Sequence, residues 1–550
     1  MKKLSPLRFV IGYAKKHIPW IAAMGLISCV SALAMIGMAL ASSRVIDLAL
    51  TEPRGFTFWF VILLALLAVV AVCNVISSNI RIRATARMRN EMRQGLFGSL
   101  LAKEYTAVSG LHSGEILNRF TSDIRIVVEG AVNLLPQIIS LGTKLVVGLG
   151  VLFFLDWKFT LIVLAGGFLI AACVQLFSRF YRNLHKECQR TEGQTRSFLQ
   201  ECVENMMMIK SFINERGVRK KLDEYQYENY KVQVRRNFFG NIGNTLIYVG
   251  FTIGYYGGLA WGALLIANEL MTIGTFTAFL QIIEQIRSPF RNVSGLVPQY
   301  YAMLASAERL QELTMLPDEE SQPLPAPLPT LFDASRGIEL SHVSFRYERD
   351  VVLRDLSAFF EKEKLTALVG ASGSGKTTLI KLLLGLVKPE SGDICLSSDQ
   401  ESVPIGPATR GLFAFVPQGN MLLSGTIAEN VTFGCESPST EEIAAAIHLA
   451  ELDAVIASLP DGLDTVIGER GIGLSEGQIQ RVAIARALLS HAPVLLLDEC
   501  TSALDADTER AVLQNLRSLT SRTVIFISHR PAVLDMADAV VSLENGEAHS

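Results

Sequence analysis

Apolar residues form long uninterrupted runs before about residue 295 and short alternating or helix-periodic runs after it, so one chain joins two kinds of folding problem. A bilayer core of about 30 Å is crossed by about 20 apolar residues in a helix. Ile21–Ser43, Phe56–Ser78 and Phe159–Ser178 reach that length without a charge. Gly130–Leu155 is broken only by Lys144, Asn237–Asn268 is uncharged, and Leu270–Phe290 is a less apolar last candidate. Six spans are therefore predicted. The connections Arg81–Val128 and Arg179–Arg236 are far longer than turns require, and they are charged, periodic and poor in breakers. The spans are expected to continue past the bilayer as rods, with tips at Ser109–His112 and Ile209–Gly217. Pro6–His17 reads as an interfacial amphipathic helix feeding the first span. Lys2, Lys3 and Ala39-Leu40-Ala41 mimic a secretory signal, but the apolar run exceeds the roughly 7–15 residues of a signal core and suits a retained span.

Beyond the proline-rich stretch Pro317–Pro329, strands, glycine turns and charged helices alternate as in an α/β domain. The predicted fold is multi-domain: an all-α polytopic membrane domain over 1–315, a linker over 316–335, and an α/β phosphate-loop ATPase domain over 336–550. Composition narrows the function. In 550 residues, 50% hydrophobic and 19% charged is too apolar for a wholly soluble protein. Lys+Arg 50 against Asp+Glu 53 leaves a net charge of -3, with no basic field for nucleic acid. The 8 cysteines are scattered without a CxxC pair, which argues against a disulfide framework or a zinc site. Arg81, Arg83, Arg87, Arg89 and Arg93 follow the second span and a second cationic run follows the fourth, whereas the turns 51–55, 156–158 and 268–272 are nearly cation-free. Both termini are thus expected in the cytoplasm, with the spans in a bacterial-type inner membrane.

The strongest local signal is Gly370-Ala371-Ser372-Gly373-Ser374-Gly375-Lys376-Thr377, between the apolar strand Leu365–Val369 and an apolar helix opening at Thr378. Such a loop cradles phosphates with backbone N–H groups and a helix N-terminus, Lys376 neutralises the outer phosphates, and Thr377 is placed to ligate Mg²⁺. It predicts ATP or GTP binding. Val494–Glu499 supplies the acidic partner: Asp498 for the metal, and Glu499 one residue on to polarise the attacking water.

These residues sit within a wider pattern. Leu474-Ser475-Glu476-Gly477-Gln478 resembles the signature sequence of ATP-binding cassette proteins, with Glu476 where the commoner form has glycine. Gln418 resembles the family's glutamine loop, Ser502–Asp505 its D-loop, and His529 its switch histidine. The resemblance implies that Glu499, His529 and Gln418 act in hydrolysis, that Gln418 joins Thr377 and Asp498 around Mg²⁺, and that Tyr347 stacks on adenine. Val343, Phe345 and Tyr347 alternate, so a core face competes for that tyrosine. It also implies that Ser475, Gly477, Gln478 and Asp505 meet an ATP held by a second subunit. Thr465–Gly471 resembles the loop by which exporter-type cassettes touch partner membrane helices, and Ser113–Asp123 resembles the segment after their second span. The whole chain is thus similar to exporter-fold half-transporters: a dimer of two copies, or of this copy and a degenerate partner, that moves an amphipathic small molecule, lipid or peptide outward by alternating access. Some proteins of this fold import, so direction rests on the resemblance; the six spans weigh against a soluble cassette ATPase, and the lack of a Cys/His protease pattern before the first span weighs against a cargo-cleaving transporter.

The substrate is not legible. Charges within spans are rare and usually face a cavity or a partner. Lys144 and Glu284 lie at similar depth, so either they pair, or they snorkel, or they contact substrate; Gln281, Glu284, Gln285 and Ser288 share a helical face that would form a polar cavity wall. Tyr248, Tyr255, Tyr256 and Trp261 are candidates for stacking on cargo or for ordinary packing. Cys500, beside the expected base, reads either as a buried inert thiol or as a site of thiol-reagent sensitivity.

Overall fold

The computed structural model describes residues 5–49, 52–321, 323–347, 350–371, 373–399, 402–419, 421–468, 473–528, 530–544 and 546–549. Contacts divide the chain into two units: 1–98 with 113–315, and 99–112 with 316–550. The excursion 99–112 therefore groups with the C-terminal unit, a departure from a plain division at 315.

The helices up to residue 315 are α1 Pro6–Ala14, α2 Ile18–Ala49, α3 Pro53–Leu101, α4 Tyr105–Ser109, α5 Ser113–Asn118, α6 Ile124–Leu155, α7 Trp157–Glu204, α8 Met206–Ser211, α9 Glu215–Ala267 and α10 Ile273–Met315. Helices α2, α3, α6, α7, α9 and α10 run for 32 to 53 residues. At 1.5 Å per residue that is about 48–80 Å, well beyond the hydrocarbon core. Among the described residues, Pro6–Ala49, Arg54–Leu101, Ser113–Leu155 and Glu215–Ala267 are long and apolar enough to cross a membrane. Phe58, Val61, Val72 and Val75 of α3 are exposed, as a lipid-facing surface would be. Helix α10 is more polar because Gln281, Glu284, Gln285 and Arg287 interrupt its apolar run. Helices α6 and α7 meet at Asp156, and α9 yields to α10 across 268–272. The other ends turn at Gly110, which caps α4, and at Phe212–Asn214, where Ile213 takes φ 51.

Helices α2, α6 and α10 share one apolar core around Ala39, Leu152, Phe279, Ile282 and Ile286. Farther along, Val10, Met88, Met92, Val128, Met303 and Leu310 join α1, α3, α6 and α10. Helix α7 lies along α9, where buried Asn229 accepts from Thr191 at 3.1 Å and donates to Glu192 at 2.8 Å. Between α5 and α6, Arg119–Asp123 forms a π-turn. Its two charged ends are buried and turn toward α10: Asp123 accepts from Ser306 and Arg309, and Arg119 donates to the Arg309 carbonyl and to Glu312. A wider turn re-aims side chains, which here locks the start of α6 to α10.

The second unit comprises α11 Leu328–Asp333, β1 Ser335–Tyr347, β2 Asp350–Glu361, β3 Leu365–Gly370, α12 Lys376–Leu383, β4 Ser391–Ser398, β5 Val403–Pro404, β6 Phe413–Val416, β7 Gly425–Thr426, α13 Ile427–Val431, α14 Thr440–Leu449, α15 Asp453–Ser458, β8 Val466–Ile467, α16 Glu476–Leu489, β9 Val494–Asp498, α17 Ala506–Arg517, β10 Thr523–Ile527, α18 Pro531–Leu534, β11 Ala539–Glu544 and β12 Glu547–His549. An antiparallel sheet runs β2-β1-β4-β5, and the central sheet runs β12-β11-β3-β10-β9-β6. Its strands are parallel except at the β12 edge. Strands β9 and β10 are buried along their whole length and apolar except at Asp498 and Thr523, as sheets covered on both faces require. With β10 between β3 and β9, the carboxyl ends of β3 and β9 open on one edge, where α/β sheets bind ligands. Within this unit Lys103 pairs with Asp318 at 2.6 Å, and the Glu319 N–H donates to the Ala102 carbonyl at 2.9 Å, which ties 99–112 to the start of the linker.

Candidate functional site

Gly370 ends β3, and the chain turns over Gly373 and Gly375 into α12. Gly375 has φ 102, and a Cβ there would lie 2.7 Å from Leu353, so both backbone and packing exclude a side chain. Lys376 is buried and curls back, its Nζ donating to the carbonyls of Gly370 at 2.6 Å and Ala371 at 2.9 Å. Ser374 Oγ is buried without a hydrogen-bond partner. An orphaned hydroxyl and a folded-in lysine at a helix N-terminus fit a phosphate chain, which would satisfy both. Thr378 is buried behind them. Ser372 lies outside the described residues.

At the end of β9, Asp498 is buried and Thr377 Oγ1 donates to its Oδ2 at 3.4 Å. Burial, and then the neighbouring Glu499 charge, hold the Asp498 carboxyl above its usual range. Two hard oxygen ligands beside a crowded carboxylate pair suit Mg²⁺, whose charge would relieve the crowding. Glu499 takes φ 46, a conformation that non-glycine residues rarely hold, and Gln418 Nε2 donates to its carboxylate at 2.5 Å. The glutamine loop and the expected base are thus in contact across β6 and β9. His529 lies outside the described residues.

Ser475 caps α16 in a reciprocal box: the Gln478 N–H donates to Ser475 Oγ at 3.3 Å, and the Ser475 N–H donates to Gln478 Oε1 at 2.9 Å. The Gln478 side chain is occupied in the cap. Gly477 lies against the D-loop, where a Cβ would come 2.7 Å from the Ala503 carbonyl. Glu476 is exposed in the first helical turn, where a carboxylate suits the helix dipole. Asp505 caps α17, accepting from the Thr508 N–H at 3.0 Å and hydroxyl at 2.8 Å, and the backbone bond holds its carboxyl below the usual range. Gln480 and Arg530 were not singled out from sequence. Gln480 bonds Ser502 and the Ala503 N–H, and Arg530 bonds the Ser502 carbonyl and Glu509, so together they hold the D-loop. No local motif marks either residue, because their partners are 21 to 28 positions away. Tyr347 is 39% exposed while Val343 and Phe345 are buried, so the core face ends before it. The Lys381 ammonium of α12 lies 5.7 Å from its ring centroid, which places the ring over the phosphate-loop helix. Cys500 is fully buried and burial pushes its thiol up, the environment that the buried-thiol reading requires. Residues 469–472, including Glu469, Arg470 and Gly471, lie outside the described residues.

In the helical unit Lys144 and Glu284 do not pair, which removes the first of the three readings open to them. Glu284 accepts instead from Arg287 at 3.3 Å, one turn along α10, and Lys144 has no polar partner among the described residues. Proximity in the same helix wins over a partner on another one. Arg287 is a charge in the last span that the sequence reading passed over, although its i,i+3 spacing from Glu284 signalled it. The polar face of α10 also divides. Gln285 donates to the Met35 carbonyl at 2.9 Å and Gln281 accepts from Ser42 at 3.2 Å, both facing α2. Glu284 and Arg287 line a cleft of about 490 Å³ with Tyr248, Tyr255 and Tyr256, and Gln281 borders both it and α2; Lys144 is not among its lining residues. The Ser288 side chain lies outside the described residues. Trp261 turns away from the cleft and donates to Asp156 at 3.0 Å.

Comparison with known proteins follows the same division. Residues 21–290 match the model of the ABC transporter transmembrane region, and residues 353–502 match the ABC transporter model. The chain is 31% identical over 526 residues to mitochondrial ATP-binding cassette sub-family B member 10 of Mus musculus, covering 92% of this chain and 72% of that protein. It is 32% identical over 475 residues to an ATP-dependent lipid A-core flippase of Chromobacterium violaceum, covering 84% and 79%. Its fold resembles that of a bacterial Atm1-family ABC exporter with ATP bound, at a TM-score of 0.79 and 22% identity over 98% of this chain and 95% of that one.

Proposed function

Because this chain belongs to the ATP-binding cassette transporter family, as an exporter-fold half-transporter with a C-terminal nucleotide-binding domain, we propose that two copies form a homodimer that exports an amphipathic molecule by alternating access. The chain is an ATPase-coupled translocase, and it spans the membrane several times. One observation carries the finer reading: the same polypeptide joins a phosphate cradle and a contacting Gln418–Glu499 pair to six long helices, two of which, α9 and α10, line a part-polar cleft. The cation-rich inner connections support cytoplasmic termini and cassette in an inner membrane. A relative named for flipping a lipid supports an amphipathic cargo.

In the proposed cycle the phosphate-loop amides and Lys376 hold the β- and γ-phosphates. Thr377, Asp498 and Gln418 would hold Mg²⁺, which when bound neutralises charge on the phosphate oxygens. Glu499 accepts a proton from water as its oxygen bonds to the γ-phosphorus, and the bond from that phosphorus to the leaving ADP oxygen breaks. Ser475 and Gly477 of one copy face the γ-phosphate held by the other, so each site needs both chains. A single signature and phosphate loop per chain supports two sandwiched nucleotides. His529 is assigned to the γ-phosphate and Tyr347 to the adenine. The apolar tip, with Met207, Phe212 and Ile213 highly exposed, is suited to receive cassette motion.

The test is ATP-dependent uptake of candidate amphipaths into inside-out vesicles that carry the full chain. Accumulation abolished by Glu499→Gln supports the reading; accumulation that survives it contradicts the coupling.

A further inference from the structure

The cleft between α9 and α10 has a chemistry that the ATPase cycle leaves unused. Counted from the start of α10 at Ile273, Glu284 and Arg287 lie about 17 and 21 Å along the helix, near the middle of a bilayer core of about 30 Å. A guanidinium there is costly unless compensated. Arg287 has five N–H donors, yet among the described residues it makes one hydrogen bond, at 3.3 Å to Glu284. Charge-assisted bonds of this kind usually measure about 2.7–2.9 Å, so the pair is slack. The guanidinium is nevertheless fixed: it is 25% exposed and lies 5.2 Å from the Tyr248 ring centroid. The Glu284 carboxylate is 60% exposed, free to turn away at little cost. The positive group is therefore the preorganised one and the negative group the replaceable one. Beside them, Tyr255 and Tyr256 stand edge to face at 5.7 Å and line the same cleft.

We propose that this cleft is the cargo site for an amphipathic organic acid. The carboxylate, sulfonate or phosphate of such a molecule displaces Glu284 and takes the guanidinium fork of Arg287, while a flat apolar body lies against Tyr255 and Tyr256. The assignment rests on the transport reading above and names its substrate class. Glu284 acts as a resident competitor that keeps the empty site neutral, so removing its charge strengthens anion binding and removing Arg287 abolishes it.

The experiment uses the full-length dimer in lipid nanodiscs and three probes with one body: 1-pyrenebutyrate, 1-pyrenebutanol and 1-pyrenebutylamine. ATPase rate is followed against probe concentration. The acid is expected to change the rate saturably at lower concentration than the alcohol or the amine. Arg287→Gln should raise the half-saturating concentration of the acid about tenfold or more, and Glu284→Gln should lower it severalfold, a gain that misfolding cannot produce. A preference for the amine or alcohol, no saturable response to the acid, or half-saturation by the acid unmoved in both variants overturns the assignment. Vesicle uptake separates the two levels. If the amine or alcohol is moved at the expense of ATP, the anion class falls and transport stands; if ATP is consumed and none of the three is moved despite saturable binding, the transport reading falls.

Discussion

Arg309→Ala should destabilise the helical unit more than Asp123→Ala, although each change removes the same ion pair. The reason is an asymmetry of burial. The Asp123 side chain is 2% exposed and accepts from Ser306 Oγ at 2.9 Å and Arg309 Nε at 2.9 Å, whereas the Arg309 side chain is 46% exposed. Without Arg309, a carboxylate stays enclosed with a single hydroxyl for company, the situation that costs about 3–5 kcal/mol when one partner of a buried pair is deleted. Without Asp123, the guanidinium turns to water and only hydrogen bonds are lost, about 1–3 kcal/mol. The double variant should cost less than the two single changes added together, by about 1–3 kcal/mol, because the pair is one interaction counted twice. Unfolding midpoints of the full chain in mild detergent, read by intrinsic fluorescence, give the order, and ATPase and uptake on the same samples give the consequence. A loosened junction between α6 and α10 should leave ATP hydrolysis and reduce uptake. Equal midpoints for the two single variants, or a greater loss for Asp123→Ala, would refute the reasoning.

Three further changes probe other parts of the account. Asp498 carries a carboxyl raised by burial and by Glu499, so the folded chain holds that proton more tightly than the unfolded one; its stability contribution is present at low pH and is lost as pH rises through the raised folded value. At neutral pH, Asp498→Asn should therefore raise the nucleotide-free melting temperature while lowering Mg²⁺-dependent hydrolysis; a lower melting temperature counts against the burial argument. Gly477→Ala sets a methyl 2.7 Å from the Ala503 carbonyl, so hydrolysis should drop sharply with ATP affinity at Lys376 little changed, as a filter-binding assay beside an ATPase assay would report. Asp47 accepts from the Gly274 N–H and the Thr272 hydroxyl, each at 2.8 Å, and thereby caps α10 from the end of α2. Asp47→Ala should cost about 1 kcal/mol and speed amide exchange in the first turn of α10; unchanged exchange there would remove the cap from the account.

What could be read from sequence was local. The phosphate loop, the acidic strand end and the signature helix are each written within a few residues, because backbone turns and caps are short-range devices. The helix breaks near Asp156 and Asn268 were equally plain, since apolar length and cation placement are properties of single segments. What stayed hidden involves partners far apart in the chain. Lys103 meets Asp318 only because a β-bridge joins segments that are 215 positions apart. Gln480 reaches the D-loop only once α16 and the β9 end are packed. Gln478 and Asp505, assigned to nucleotide by motif, spend their side chains on helix caps, a competing use that the motif cannot rank. The Glu284–Arg287 pair was legible in its i,i+3 spacing, whereas equal depth offered Lys144 as a partner only beside two other readings.

The central claim is that nucleotide at the cassettes moves the membrane helices, and the distance between two copies of one outer turn tests it most directly. Spin labels at Asn268, exposed at the end of α9, report that distance in the Glu499→Gln dimer in nanodiscs by electron paramagnetic resonance. The account predicts a distance distribution that shifts when Mg²⁺-ATP is added and stays put when Lys376→Ala is also present. An unshifted distribution in a sample shown to bind ATP would contradict it.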